Sequence, residues 1–286
     1  LTVMAGPIDA MLRAGGEAIA ATSPTAMLDA RVLLKWAAGV GDAQLLSGAA
    51  TVTAAARRRY QAAIARRRRG EPLAYITGRK EFYGRDFSVA PGIFVPRPET
   101  ELLVTTTLEA AAAIRDSAGT SIVELGTGCG AVAITLALAR PAWRITATDA
   151  SAAARRTARI NAAAHAAAVT IAAADWLHGV AGRHTAIVAN PPYIADNHPC
   201  IHGDGIRHEP RAALTAGADG MDDLAQIIAA APKHLTAAGA LIVEHGATQA
   251  AAVRKLMNAA GLARAATRRD LGGRDRVTIG FANETV

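Results

Sequence analysis

Asn190-Pro191-Pro192-Tyr193 is the stretch whose residue types, in that order, can do chemistry. Two consecutive prolines fix the backbone and remove two N–H donors. The Asn190 side-chain oxygen and the Pro191 carbonyl remain as rigid acceptors, with the Tyr193 ring as a flat wall. Two acceptors and no donor suit a planar –NH2 group, which has two hydrogens to give. The nitrogen of an amide or aromatic amine is a poor nucleophile because its lone pair is delocalised. Gripping both N–H bonds can rotate and pyramidalise that nitrogen and aim its lone pair at an electrophilic carbon. In-line methyl transfer from a sulfonium fits such a device, and the proton can leave after transfer. A plain turn is the competing reading.

A second constellation is Glu124-Leu125-Gly126-Thr127-Gly128-Cys129-Gly130, between a strand pattern and a helix pattern. Gly126 and Gly128 let the backbone turn sharply and approach a ligand. Asp149 ends the next strand and can accept hydrogen bonds from both hydroxyls of a ribose. A dinucleotide fingerprint runs G-x-G-x-x-G, but Ala131 stands where the third glycine would fall. The shorter spacing suits S-adenosylmethionine, which has no pyrophosphate; a structural tight turn is the alternative. Asp175-Trp176 follows a third strand, where the acid can meet an adenine amino group and the indole can stack. A buried core tryptophan is the bland alternative.

These residues need a scaffold that collects strand ends. Beyond residue 120, SIVEL, WRITATD, VTIAAAD, TAIVAN, ALIVEHG and RVTIGF read as strands separated by helical stretches. That alternation predicts an α/β fold with a mostly parallel sheet covered on both faces. Ligands bind such sheets beyond the carboxyl ends of the strands. Phe87 and Val89, then Ile93 and Val95, alternate around Pro91-Gly92 and predict a β-hairpin connector. Pro98 suits the first turn of a helix through Glu101 and Val104.

Residues 1–78 read as a small helical domain. Leu28, Val32 and Trp36 lie one turn apart behind Ser23-Pro24, with Gly39 and Gly41 at the stop. Val52, Ala56, Tyr60 and Ile64 form the apolar stripe of the next helix, Thr51 to Arg69, closed by Gly70 and Pro72. The domains expected are therefore 1–78 helical, 79–97 connector and 98–286 catalytic.

The chain has 286 residues, 51% of them apolar, which excludes disorder. Lys and Arg number 31 against 24 Asp and Glu, and residues 1–78 hold ten of the former against five of the latter. Arg57, Arg58, Arg59 and Arg66 to Arg69 account for most of that excess. They suit either a solvated helix face or contact with nucleic acid or an acidic protein. Two cysteines, Cys129 and Cys200, allow no disulfide framework, and a reducing, cytoplasmic setting is expected. The first residues lack a basic start and an apolar run, so no secretory signal is expected. Ile160 to Ala174 is too short and weakly apolar to span a bilayer.

Asn190 to Tyr193 after an ELGTGCG turn resembles the amino-group methyltransferases that use S-adenosylmethionine, acting on DNA adenine, ribosomal RNA guanine or protein glutamine. EPLAYITGRKEFYGRDFSV, FVPRPETE, ADW, NPPYI, RHEP and GGRDRVTIG narrow the match. Together they resemble the bacterial peptide chain release factor glutamine N5-methyltransferase family. The resemblance implies a Rossmann-like S-adenosylmethionine methyltransferase domain preceded by the helical domain and hairpin connector. It also implies that Gly126, Thr127, Gly128, Cys129 and Gly130 line the cofactor, with Asp149 on the ribose and Trp176 by the adenine. Asn190 and Pro191 would hold a glutamine amide, Pro192 would stiffen the corner, and Tyr193 would pack on the substrate. The implied target is the Gly-Gly-Gln glutamine of class 1 release factors, docked partly by the helical domain. Phe94 and Arg97 are second-rank candidates.

Two rivals stay open: a ribosomal RNA or DNA amino methyltransferase, favoured by the basic N-terminus, and a protein that holds the cofactor without turnover. No separate target-recognition region is visible, which weakens the DNA role. His198, Cys200, His202 and His208 lack zinc-site spacing, and no metal is expected. Glu209-Pro210 either borders the pocket or is a solvated loop, and Glu244-His245-Gly246 reads as structural rather than as a base.

Overall fold

The structure is a computed structural model, and it describes residues 7–46, 51–114 and 119–283. Residues 1–6, the start of the segment considered as a secretory signal, lie outside those described. The chain forms two units, one built from the residues through Arg79 with Pro199–His208, the other from Lys80–His198 and the residues from Glu209 on.

The first unit holds α1 (Pro7–Ile19), α2 (Ala26–Ala38), α3 (Asp42–Leu46), α4 (Ala54–Arg68) and α5 (Leu73–Thr77). Thr53 caps α4, its side chain accepting the Ala56 N–H at 3.1 Å. Ala56 and Tyr60 of the stripe are buried, Val52 and Ile64 are half-buried and Ala63 joins the inward face, while Arg57, Arg58 and Arg59 are exposed. The buried face of α2 differs from expectation. Ala30, Leu33, Leu34 and Ala37 pack inward while Leu28 is 59% exposed. An i, i+4 run is satisfied by two neighbouring stripes, and Leu33-Leu34 offers the larger aliphatic area.

Two of the arginines are structural. Arg66 grips Glu71 through two hydrogen bonds, and Arg67 meets the buried carboxylate of Asp29 at 2.7 Å. Arg68 and Arg69 remain exposed. The end of the His/Cys loop is held by backbone carbonyls. Gly205 N–H donates to the Gly70 carbonyl at 2.8 Å, and Arg207 and His208 reach the Arg69 carbonyl. No cluster of three potential metal ligands occurs among the described residues.

A hairpin, β1 (Arg79–Phe82) and β2 (Arg85–Ser88), starts at the last residue of the first stretch and continues into the second unit. Its turn is Tyr83-Gly84, where φ is 52° and 74°, and not Pro91-Gly92. Two successive positive φ values match the twist of a two-residue hairpin, which proline cannot adopt. Pro91-Gly92 makes an ordinary turn instead, and Ile93 and Val95 are buried outside any strand.

The remaining elements are α6 (Glu101–Ile114), β3 (Ser121–Leu125), α7 (Ala131–Ala139), β4 (Arg144–Thr148), α8 (Ala152–Ala164), β5 (Val169–Ala172) and β6 (His184–Ala189). They are followed by α9 (Asp222–Ala230), β7 (Leu235–Glu244), α10 (Ala250–Ala259), β8 (Ala263–Arg269) and β9 (Asp275–Phe281). The seven sheet strands lie in the order β5-β4-β3-β6-β7-β9-β8. β5 through β7 are parallel, and β9 runs antiparallel between β7 and β8. This is the expected Rossmann-like α/β architecture. Val123, Ile187, Leu241 and Val243 of the sheet pack with Leu224, Ile227 and Val253 of α9 and α10 in one core. No helix among the described residues is long and apolar enough to cross a membrane.

The chain runs β3-β4-β5 to one side of the sheet and β6-β7 to the other, so the topological switch lies between β3 and β6. In register, Leu125 pairs with Ala189. The glycine turn after Leu125 and the Asn-Pro-Pro-Tyr corner after Ala189 therefore emerge side by side, where open sheets bind ligands.

Candidate active site

A cavity of about 460 Å³ lies over these strand ends within the second unit. Gly126, Thr127, Gly128 and Cys129 line it, as do Asp149, Trp176, Asn190 and Pro192. Gly130, Pro191 and Tyr193 are not part of its lining.

The glycine turn is built from backbone outward. Thr127 N–H donates to the Thr148 carbonyl at 2.9 Å, and Gly128 N–H to Asp149 Oδ2 at 2.9 Å. The Ser151 N–H fills Asp149 Oδ1 at 2.8 Å. One backbone donor per oxygen fixes the carboxylate and leaves each oxygen with acceptor capacity. Burial raises the pKa of Asp149, and these two N–H groups pull it back. Gly126 has φ 68°, and a Cβ there would come within 3.1 Å of the Trp176 ring. The glycine thus permits both the turn and the close approach of the indole. Cys129 is buried and burial pushes its thiol up to about 12, which keeps it protonated and a poor nucleophile.

Trp176 sits at φ 47°, unusual for a bulky side chain, and its indole N–H donates to Asp223 Oδ1 at 3.0 Å. Asp223, in the first turn of α9, also lines the cavity. Its orienting role has no local sequence signal, since it lies 47 residues from Trp176. The same is true of Asn161, whose amide bonds the Cys129 carbonyl at 2.8 Å and both backbone groups of Ser88.

Asn190 is oriented from behind. Its Nδ2 donates to Thr100 Oγ1 at 3.1 Å, leaving Oδ1 as the group without that tie. Tyr193 donates its hydroxyl to Glu244 Oε1 at 3.2 Å and packs on the core. The exit of the corner is clamped by Gln249, whose Nε2 donates to the Tyr193 carbonyl at 3.1 Å. Gly220, at φ 76°, lies against that carbonyl, and an added Cβ would strike the Tyr193 oxygen and carbon. We expect Gly220→Ala to lower stability by about 2–4 kcal/mol, because backbone clash and left-handed strain act together. Denaturant unfolding checks this, and a loss below about 1 kcal/mol would mean the corner yields freely.

Glu209 settles the loop question, being 7% exposed. It accepts the Val95 N–H at 3.0 Å and pairs with Arg97, whose guanidinium lies 5.0 Å from the Phe94 ring centroid. Phe94, Pro96 and Pro210 line the cavity. Arg97 therefore holds the wall by pairing with Glu209. His245 is turned away, with Nε2 2.7 Å from Thr278 Oγ1, and is structural as expected.

Glu124 carries more than the sequence assigned to it. It lines the cavity, accepts the Thr127 hydroxyl and the Ala133 N–H, and burial pushes its pKa up to about 8. A carboxyl whose folded pKa exceeds its unfolded value contributes stability below the unfolded pKa and loses it as pH rises through the folded one. We expect the unliganded protein to lose about 1–2 kcal/mol between pH 7 and 9, and Glu124→Gln to flatten that slope. The buried His184 and His245 have lowered pKa values and act in the opposite sense, at lower pH, outside this window.

Residues 10–78 match the family model described as PrmC N-terminal domain, and residues 90–208 match methyltransferase small domain. The chain is 44% identical over 264 residues to the release factor glutamine methyltransferase of Pseudomonas aeruginosa, covering 90% of this chain and 93% of that one. The protein of that name from Burkholderia pseudomallei is 42% identical over 267 residues, with the same coverage. This chain belongs to the release factor glutamine methyltransferase family. Among solved structures, a Pyrococcus furiosus methyltransferase superposes with TM-score 0.53 at 18% identity, covering 78% of this chain and 98% of that one. The Thermus thermophilus 16S rRNA N2 G1207 methyltransferase, in complex with AdoMet and guanosine, gives 0.54 at 16%, covering 72% and 50%. At those identities the likeness concerns the fold.

Proposed function

We propose that this chain transfers a methyl group from S-adenosylmethionine to the side-chain amide nitrogen of the Gly-Gly-Gln glutamine in class 1 peptide chain release factors. The observation that carries this reading is the orientation of Asn190. One of its two N–H hydrogens goes to Thr100, which turns Nδ2 to that side and leaves Oδ1 as an acceptor for the substrate beside a di-proline that cannot donate. Family membership supports the release factor as the acceptor.

The cavity suits the cofactor in size and in donor set. About 460 Å³ is ample for a ligand of this class. Asp149 keeps one acceptor site per oxygen for two ribose hydroxyls, Trp176 offers its face beside the adenine, and the Gly126–Gly130 turn admits backbone approach. Glu124 is a buried carboxyl in the cavity lining that would suit the α-ammonium group of the zwitterionic amino-acid end. When bound, S-adenosylmethionine supplies a methyl group on a positively charged sulfur. Asn190 Oδ1 and the Pro191 carbonyl would hold the two amide hydrogens as charge develops at nitrogen, and Tyr193 would pack against the glutamine. Residues 1–78 would form the docking domain, 79–97 the connector and 98–286 the catalytic domain.

Cofactor carrying a labelled methyl group, offered with release factor, ribosomal RNA and DNA, tests the proposal. We expect label on the release factor glutamine. Label on nucleic acid alone would overturn it, as would tight cofactor binding with no transfer to any acceptor.

A further inference from the structure

Asp175 and His178 exchange backbone hydrogen bonds, so Trp176 and Leu177 form a two-residue turn between them. Trp176 takes the first central position at φ 47°, where glycine, asparagine or aspartate is usual. An indole there strains the backbone, and such strain persists only where the surroundings fix it. Two contacts hold the ring at separate places. Asp223 Oδ1 accepts the indole N–H at 3.0 Å. The six-membered ring lies against Gly126, where an added Cβ would come within 3.1 Å of Cζ3 and 3.5 Å of Cη2.

Gly126, Trp176 and Asp223 all line the cavity, and the indole is half-buried. Its N–H is its one polar hydrogen, so the Asp223 bond decides which way that edge points and with it the tilt of the ring. A flat face stacks best when its plane is set before the ligand arrives, because ordering a loose ring on binding subtracts from affinity. An acid in the first turn of α9 also has a plainer use, as a charge on the helix macrodipole. The two uses differ in what they need. The macrodipole needs the charge, whereas the indole needs an acceptor.

Resting on the cofactor placement proposed above, we propose that Asp223 is a positioning residue for the adenine side of the cavity. By holding the indole N–H it sets the plane of Trp176, and it governs cofactor affinity through that ring and not by a contact of its own.

Calorimetric titration of the full chain with S-adenosylhomocysteine tests this in wild type, Asp223→Asn, Asp223→Leu, Trp176→Phe and the Asp223→Leu/Trp176→Phe pair. Asparagine keeps an acceptor without the charge, and leucine fills the space with neither. We expect Asp223→Leu to raise Kd at least fivefold, with Asp223→Asn staying within about threefold of wild type. Phenylalanine has no N–H to hold, so adding Asp223→Leu to Trp176→Phe should cost less than about twofold more. A rise below fivefold in Asp223→Leu, or Asp223→Asn binding as weakly as Asp223→Leu, would overturn the proposal. So would a leucine penalty as large beside Phe as beside Trp, which would mean that Asp223 meets the cofactor directly. If Trp176→Phe fails to fold, the Asn and Leu variants decide. Failure of the wild type to bind S-adenosylhomocysteine would instead sink the cofactor reading, so the two failures are distinguishable.

Discussion

Asn190→Ala should raise the barrier to methyl transfer by about 2–4 kcal/mol, roughly 30- to 1,000-fold in turnover, the range seen when a positioned polar group is deleted from a transition-state site. The reason is differential. In the ground state, a substrate amide bonds almost as well to water as to Asn190 Oδ1. In the transition state the nitrogen becomes cationic and its hydrogens become stronger donors, so a fixed acceptor gains most at that moment. Cofactor affinity should change by less than about threefold, because Asp149, Trp176 and the glycine turn are untouched. Truncation also frees Thr100 Oγ1, which then loses its donor. Single-turnover rates separate this from a binding defect. Unchanged turnover in a protein that binds cofactor normally would remove Asn190 from the chemistry.

Asp149→Ala should act on the other half of the site. The carboxylate orders Gly128 and Ser151 through their N–H groups while keeping acceptor capacity towards the cavity. Removing it leaves two backbone donors to find new partners and would take away the charge-assisted hydrogen bonds proposed to the two ribose hydroxyls. We expect cofactor Kd to rise roughly 10- to 100-fold, about 1.4–2.8 kcal/mol, with a smaller effect on kcat at saturating cofactor. Calorimetric titration measures this. An unaltered Kd would mean that the ribose is held elsewhere.

Features that are local in sequence were legible from it. A strand leading into glycines, an acid at the next strand end and a di-proline corner each show their physical reason within a few residues. The structure sets Gly126 and Asn190 side by side because β3 and β6 are neighbours at the switch point. What stayed hidden acts across long chain separations. Thr100 orients Asn190 from 90 residues away, and Glu209 holds Val95 from 114. No spacing rule registers such partners. Other departures arise from competing physical options. Pro91-Gly92 looked like the hairpin turn, but Tyr83-Gly84 adopts the required positive φ values. β8 carries no strand signature in the sequence because ARAATRR has no apolar run, a composition that an edge strand tolerates. Arg66 and Arg67 read in the sequence as a solvated face or a partner contact, yet their acidic partners lie at Glu71 and Asp29.

The most direct trial is a crystal structure of the chain with S-adenosylhomocysteine and a release factor, or a Gly-Gly-Gln peptide from one. We expect the glutamine amide nitrogen within hydrogen-bond distance of both Asn190 Oδ1 and the Pro191 carbonyl, with its free face towards the cofactor sulfur. A glutamine nitrogen bonded to neither oxygen, or an Asn190 that turns its NH2 towards the substrate, would contradict the mechanism.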